Sequence, residues 1–168
     1  MEKQLNRRLY TLVEISLLAS FISVTGSIKI PTLIMGSEFQ MSAPVAVAIC
    51  AVFGFKRYII AGIISSLILF LLGIHTLINV EIAMVFRLTV GLIISVFGRN
   101  VFTIFVAGPL GTFVARLALA FTLQVPAIML IVPAIPGMIL TAFVSIPLTK
   151  LLEKIYTQLG VSQYGGAL

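Results

Sequence analysis

The sequence contains no aspartate and no tryptophan, one cysteine and one histidine, and only 10% of its 168 residues carry charge. Soluble globular domains carry roughly 25% charged residues, and a chain with less than half of that cannot cover a water-facing surface. The scarcity of charge excludes a soluble enzyme, and the abundance of apolar residues excludes a disordered chain. One cysteine, Cys50, cannot form an internal disulfide; lying inside an apolar run, it reads as a small buried hydrophobe. One histidine and no cysteine cluster give no metal site. The chain also lacks a Gly-rich phosphate loop, a zincin motif and a Ser–His pair in an active-site motif. It is therefore not expected to be an enzyme, to hold a cofactor or to contain an ATPase. No internal repeat, low-complexity segment or cleavable signal peptide is evident.

What is present is hydrophobic: 60% of the residues are apolar and the mean hydropathy is +1.21. An alternating barrel pattern would keep hydropathy lower, so the sequence points to membrane-spanning helices. A spanning helix needs about 20 apolar residues. Six runs meet or approach that length: 9–28, 41–55, 58–74, 80–98, 101–123 and 127–148, followed by an amphipathic tail over 150–160 expected on the membrane surface. Pro31 should end the first helix, and residues 29–40 read as a polar-tipped loop. The second run is short and is expected either to start within the loop or to lie at shallow depth. The connections are short, so neighbouring helices are antiparallel. The expected fold is all-α and integral to the membrane, one compact bundle of six transmembrane helices forming a single domain over 1–168.

The balance of 11 Lys and Arg against 5 acids gives a net charge of +6. On a soluble protein this would suggest nucleic acid; here the basic residues sit between apolar runs and act as topology signals. With the N-terminus in the cytoplasm, eight of the 11 basic residues fall on cytoplasmic segments: Lys3, Arg7, Arg8, Lys56, Arg57, Arg99, Lys150 and Lys154. The other side holds Lys29 alone, while Arg87 and Arg116 lie inside spans. This bias places both termini in the cytoplasm.

A charge at mid-bilayer costs about 2.5–3.5 kcal/mol and therefore usually has a partner or a task. Glu14, Arg87 and Arg116 are such charges. Counted from the outer helix ends at 1.5 Å per residue, Arg87 lies roughly 12 Å deep and Arg116 roughly 10 Å. The two share the outer half with no carboxylate at hand except Glu81. They read either as snorkelling groups paired to Glu81 and helix-end carbonyls or as the lining of a cavity for an anion, since a guanidinium fork suits a carboxylate or phosphate. Glu14, nearer the inner end, would need a long reach to Arg87 and reads as an interface residue near the cytoplasmic headgroups. The outer loops add Glu38, Gln40, His75, Asn79, Glu81 and Gln124, with His75 expected to be solvated. Small-residue pairs on the first helix (Ser16 with Ser20, Ala19 with Ser23) and Gly108 with Gly111 on the fifth mark close helix approach. Pro133 and Pro136 should bend the sixth run and free carbonyls to line a cavity.

The order of these features resembles the substrate-binding S component of energy-coupling factor (ECF) vitamin transporters. The resemblance rests on Glu38-Phe39-Gln40-Met41-Ser42-Ala43-Pro44, on Ala51-Val52-Phe53-Gly54-Phe55-Lys56-Arg57-Tyr58 followed by Ala61-Gly62, and on Gly108-Pro109-Leu110-Gly111 and Pro136-Gly137. It covers most of the chain and is one of layout. It departs from the family in the first helix, where serines stand among leucines in place of an alanine-rich docking surface. The resemblance implies a non-enzymatic subunit in a prokaryotic plasma membrane. Such a subunit captures a small water-soluble vitamin or related micronutrient from outside. It works with a transmembrane coupling protein and two ATPase subunits. It further implies that Arg87, Arg116, Asn79 and Glu81 contact the ligand, that the loop around Glu38 and Gln40 acts as a lid, and that Ser16, Ala19, Ser20 and Ser23 dock the partner. Two other classes compete: a structural membrane scaffold resembling the MreD family, and a small oligomeric secondary transporter, for which Glu14 is the sole coupling carboxylate on offer. The orientation has a direct check. Single cysteines in the Glu38 loop or beside His75 should react with an impermeant thiol reagent from outside, and cysteines beside Arg57 or Arg99 should not; the reverse pattern overturns the topology.

Overall fold

The computed structural model describes residues 2–31 and 38–158, with side chains described for 8–28 and 41–158. Helix α1 (Glu2–Ser27) leads into a short antiparallel hairpin of β1 (Lys29–Pro31) and β2 (Glu38–Gln40). Five helical runs follow: α2 (Ser42–Phe53), α3 (Phe55–Leu71), α4 (Leu77–Phe97), α5 (Val101–Leu123), and a broken last run of α6 (Ala127–Ile131), a 3₁₀ turn (Val132–Ala134) and α7 (Ile135–Gln158). Among the described residues, four stretches are long and apolar enough to cross a membrane: Arg8–Ser27, Leu77–Phe97, Val101–Leu123 and Ala127–Gln158.

The expected loop over 29–40 contains the hairpin. Lys29 pairs with Gln40, Ile30 with Phe39 and Pro31 with Glu38. Pro31 has no N–H to give and sits at a strand end, where none is needed. Two short strands are marginal alone; here they are anchored at both roots, and Met41 N–H donates to the Ile28 carbonyl at 3.4 Å, closing the hairpin onto the end of α1.

The short second run begins at Ser42, after the hairpin, and is central to the bundle. Helix α2 has 12 residues, about 18 Å of rise, and every residue from Pro44 to Ala51 is buried. It touches α1, α3, α4, α5 and α7 and forms the axis of the bundle. Many of its side chains are small, with Ala46, Ala48 and Ala51 interspersed among Val45, Val47 and Val52, so the surrounding helices can approach closely. The outer surface is the reverse of a soluble protein's. Leu12, Leu17, Phe102 and Phe121 face outward, the last at 80% exposure, as a lipid-facing coat requires.

The boundaries shift where local chemistry dictates. Gly54 at φ 83° reverses the chain in one residue, so α3 starts at Phe55 and takes Lys56 and Arg57 into its first turn. Thr76 caps α4, its Oγ1 accepting from Asn79 N–H at 3.4 Å, so that helix begins at Leu77 rather than 80. Residues 150–158 do not form a separate surface helix; they continue α7, and Tyr156 packs edge-on against Phe53 at 5.1 Å. The break expected at the prolines of the last run is the 3₁₀ turn containing Pro133.

Glycines set the interhelical spacing. Gly108 lies against Thr141 of α7 and Val47 of α2, whereas Gly111, one turn on, lies against Val90 and Phe86 of α4. The pair therefore serves three neighbouring helices rather than one. Gly91 of α4 lies directly under the Phe55 ring, closer than any side chain there would allow. Gly91→Leu should destabilise the protein by about 1–3 kcal/mol through overpacking, read as a lower melting temperature in detergent. Leu92→Ala, at a position 58% exposed on the same helix, should leave the melting temperature nearly unchanged.

Candidate functional site

The contacts between helices sort the bundle into two ends. At one end Arg57 Nη1 donates to Glu14 Oε1 at 3.1 Å, Arg99 Nη1 donates to the Ala51 carbonyl at 3.3 Å, and Tyr156 meets Phe53. Lys56, Lys150 and Lys154 belong to the same end by their positions on α3 and α7. At the other end Gly26 meets Leu69 and Ser42, and Thr122 Oγ1 donates to Glu81 Oε1 at 2.5 Å. Glu14 therefore finds its partner in Arg57, at the start of α3, and does not reach toward Arg87.

The Glu81–Thr122 bond also fixes the register of α4 against α5. Arg87 is six residues from Glu81, and Arg116 is six residues from Thr122 in the opposite chain direction. Both arginines therefore lie roughly 9 Å below that bond, in one layer. Gly111 against Phe86 and Val90 shows the same antiparallel packing of the two helices.

Arg87 is only 5% exposed. Its Nη1 donates to Ser66 Oγ at 2.6 Å and lies 3.7 Å from Met84 Sδ. The chain of the side chain lies across Gly62, where a Cβ would come within 2.5 Å of Cδ and Nε. Tyr58, Gly62 and Ser66 are four residues apart and line one face of α3; the glycine opens the groove and the serine ends it. Tyr58 is fully buried, and its hydroxyl has no hydrogen-bond partner among the described residues. One position over, Ser23 Oγ donates to Ser65 Oγ at 3.0 Å and ties α1 to α3. Arg87 is thus turned toward α3. Arg116 is partly exposed, with its Nε buried and unpartnered, and no contact joins it to Arg87 among the described residues.

The remaining predicted residues are placed as follows. Glu81 is held by Thr122, and Asn79 is half-buried in the first turn of α4 with its N–H spent on the Thr76 cap. Glu38 and Gln40 are in β2, with their side chains outside the described residues. His75, expected to be solvated, is instead buried at 6% exposure in the connection between α3 and α4. On α1, Ser16 and Ser20 face outward, each hydroxyl bonded to its own helix at the Leu12 and Ser16 carbonyls. Ala19 is 2% exposed and packs inside the bundle, and Ser23 is half-buried with its hydroxyl bonded to Ser65. Sequence reasoning missed Tyr58, Ser66 and Arg57. The four-residue spacing of Tyr58, Gly62 and Ser66 was the available signal for the first two.

Chemically, the layer holds two guanidinium groups that no carboxylate reaches among the described residues. Neutral oxygen and sulfur satisfy one donor nitrogen of Arg87, while the buried Nε of Arg116 has no partner among the described residues. Burial of such groups is costly unless water or an anion enters. Fold and site together define a small polytopic helical membrane protein with an uncompensated basic layer.

Protein BioX of Lysinibacillus sphaericus is 64% identical to this chain over 146 residues, which cover 87% of this chain and 88% of that one. The chain belongs to the family of that protein. No family profile matches it, and no solved structure matches it. The groove for Arg87 has its own check. Ser66→Ala should cost about 1–3 kcal/mol by leaving a buried charged donor unsatisfied, measured as thermal stability in detergent, whereas Ser16→Ala, on the outward face, should change it by less than about 0.5 kcal/mol.

Proposed function

We propose that this protein is the substrate-capture S component of an ATP-driven ECF importer, and that it takes up a carboxylate-bearing micronutrient of the biotin type. The observation that carries this reading is the basic layer. Arg87 and Arg116 lie at one depth, and a bound carboxylate would supply the counter-charge they lack. Arg116, with its free Nε, is the direct contact; Arg87, held behind Gly62 and Ser66, adds positive potential. Asn79, Glu81, Glu38 and Gln40 stand at the mouth above them. The name of the relative, Protein BioX, supports a biotin-related ligand, and biotin ends in a carboxylate chain. In this reading the chain crosses the plasma membrane of a prokaryotic cell six times, both termini lie in the cytoplasm, and α2 with the hairpin completes one crossing. The coupling protein and two ATPases are its partners. Glu14, committed to Arg57, leaves a proton-coupled secondary transporter without its carboxylate.

Calorimetry with biotin as the probe tests the site. Arg116→Lys keeps the charge but loses the fork and should weaken binding about tenfold or more; Arg116→Ala should weaken it further, and biotin methyl ester should bind the native protein more weakly than biotin. Affinity untouched by both substitutions would make Arg116 structural and the site assignment wrong. Coupling is tested separately. The double substitution Ser16→Leu and Ser20→Leu fills the small-residue notch on the outward face of α1. It should spare binding and lower uptake several-fold in cells that supply the ECF module. Normal uptake by the inserted variant would remove α1 as the docking face.

A further inference from the structure

At the basic end, remote from the arginine layer, α2, α5 and α7 leave a crevice of about 130 Å³. Its walls are apolar, with Val52, Val101, Ile104 and Ile146 among them, and its polar lining includes Arg99, Lys150 and Glu153. Arg99 gives one hydrogen bond to the Ala51 carbonyl at the end of α2, out of the five donors that a guanidinium carries. Among the described residues no ion pair engages Arg99 or Lys150, although Glu153 is one turn from Lys150 on the same helix. The three charged groups sum to one positive charge. Exposed apolar side chains follow two of the lining residues in the chain: Phe102, next to Val101, at 77% and Leu151, next to Lys150, at 53% exposure.

We infer that this crevice is a binding site for an anionic phospholipid with a hydroxylated headgroup, of the phosphatidylglycerol type. The charge is complementary: a singly negative phosphodiester neutralises the crevice, and Arg99 and Lys150 supply its donors. Glu153 accepts from headgroup hydroxyls, which a choline headgroup lacks. The acyl chains continue along the apolar surface beside Phe102 and Leu151, so one molecule uses both chemistries of the site. The volume admits a headgroup and not a whole lipid, which agrees with chains that remain in the bilayer. A soluble anion would use the cations but not the adjoining apolar face. The inference stands on the basic end of the bundle alone and does not depend on which nutrient is captured at the other end.

The test is native mass spectrometry of the full chain, purified in neutral detergent and mixed with equal amounts of phosphatidylglycerol, phosphatidylethanolamine and phosphatidylcholine. Phosphatidylglycerol should be retained about tenfold over phosphatidylcholine. Arg99→Gln with Lys150→Gln should bring that ratio below about threefold, and Lys150→Gln alone, at an exposed rim position with no structural bond, should lower it in part. Lys56→Gln with Lys154→Gln removes the same charge elsewhere on that end and should leave the ratio unchanged. Glu153→Gln keeps an acceptor and should also retain phosphatidylglycerol. Equal retention of the three lipids would overturn the proposal. So would an equal fall in the Lys56 and Lys154 control, a loss of phosphatidylethanolamine alone in Glu153→Gln, displacement by inorganic phosphate, or an unchanged lipid ratio in a crevice variant that instead loses its protein partners.

Discussion

A guanidinium group buried without a carboxylate is the constraint around which the middle of this bundle is arranged. Arg87 is in reach of a serine hydroxyl and a thioether and of no described acid. The protein accommodates it with a groove: Gly62 gives the space, Ser66 accepts its hydrogen bond, and Tyr58 closes the lower end with a hydroxyl that has no partner among the described residues. Low dielectric makes each satisfied bond in such a network stronger and each missing one more costly. Arg116, at the same depth on the neighbouring helix, has no such accommodation. The asymmetry separates their roles. Arg87 is largely built in; Arg116 keeps a buried Nε without a partner among the described residues.

The second organising element is α2. In lipid there is little hydrophobic drive between helices, so close packing of small residues holds them together. A central helix of alanines and valines lets five neighbours converge, and Gly108, Gly111 and Gly91 bring α4, α5 and α7 to the same close spacing. Among the described residues the polar bonds between helices are few and placed at the two ends or in the arginine layer: Glu14 with Arg57, Arg99 with the end of α2, Glu81 with Thr122, Arg87 with Ser66, Ser23 with Ser65. The interior is tied at these points, and the outside is left to lipid.

Much of this was legible in the chain. Hydropathy located the helical runs, and α5 matches its expected bounds, 101–123, because Asn100 and Gln124 interrupt the apolar run on either side. Charge bias collected Lys56, Arg57, Arg99, Lys150 and Lys154 at one end. The roles inside the bundle were not legible. An apolar run of a dozen residues reads the same whether lipid or other helices surround it, so the centrality of α2 was hidden. Glu14 and Arg57 lie 43 residues apart, and nothing local joins them. Ala19 and Ser23 share the small-residue signal of Ser16 and Ser20 but sit on the other face of α1, and only the packing of α3 decides which pair points inward. The hairpin at 29–40 has too little alternation in six paired residues to declare itself.

The central claim is that the uncompensated basic layer exists to receive an anion. Mass spectrometry of the small molecules that accompany the native protein through purification addresses it most directly. The account predicts one enriched compound bearing a carboxylate, present with the native protein and depleted when Arg116 is replaced by alanine. A neutral or cationic compound enriched equally with both proteins would contradict it.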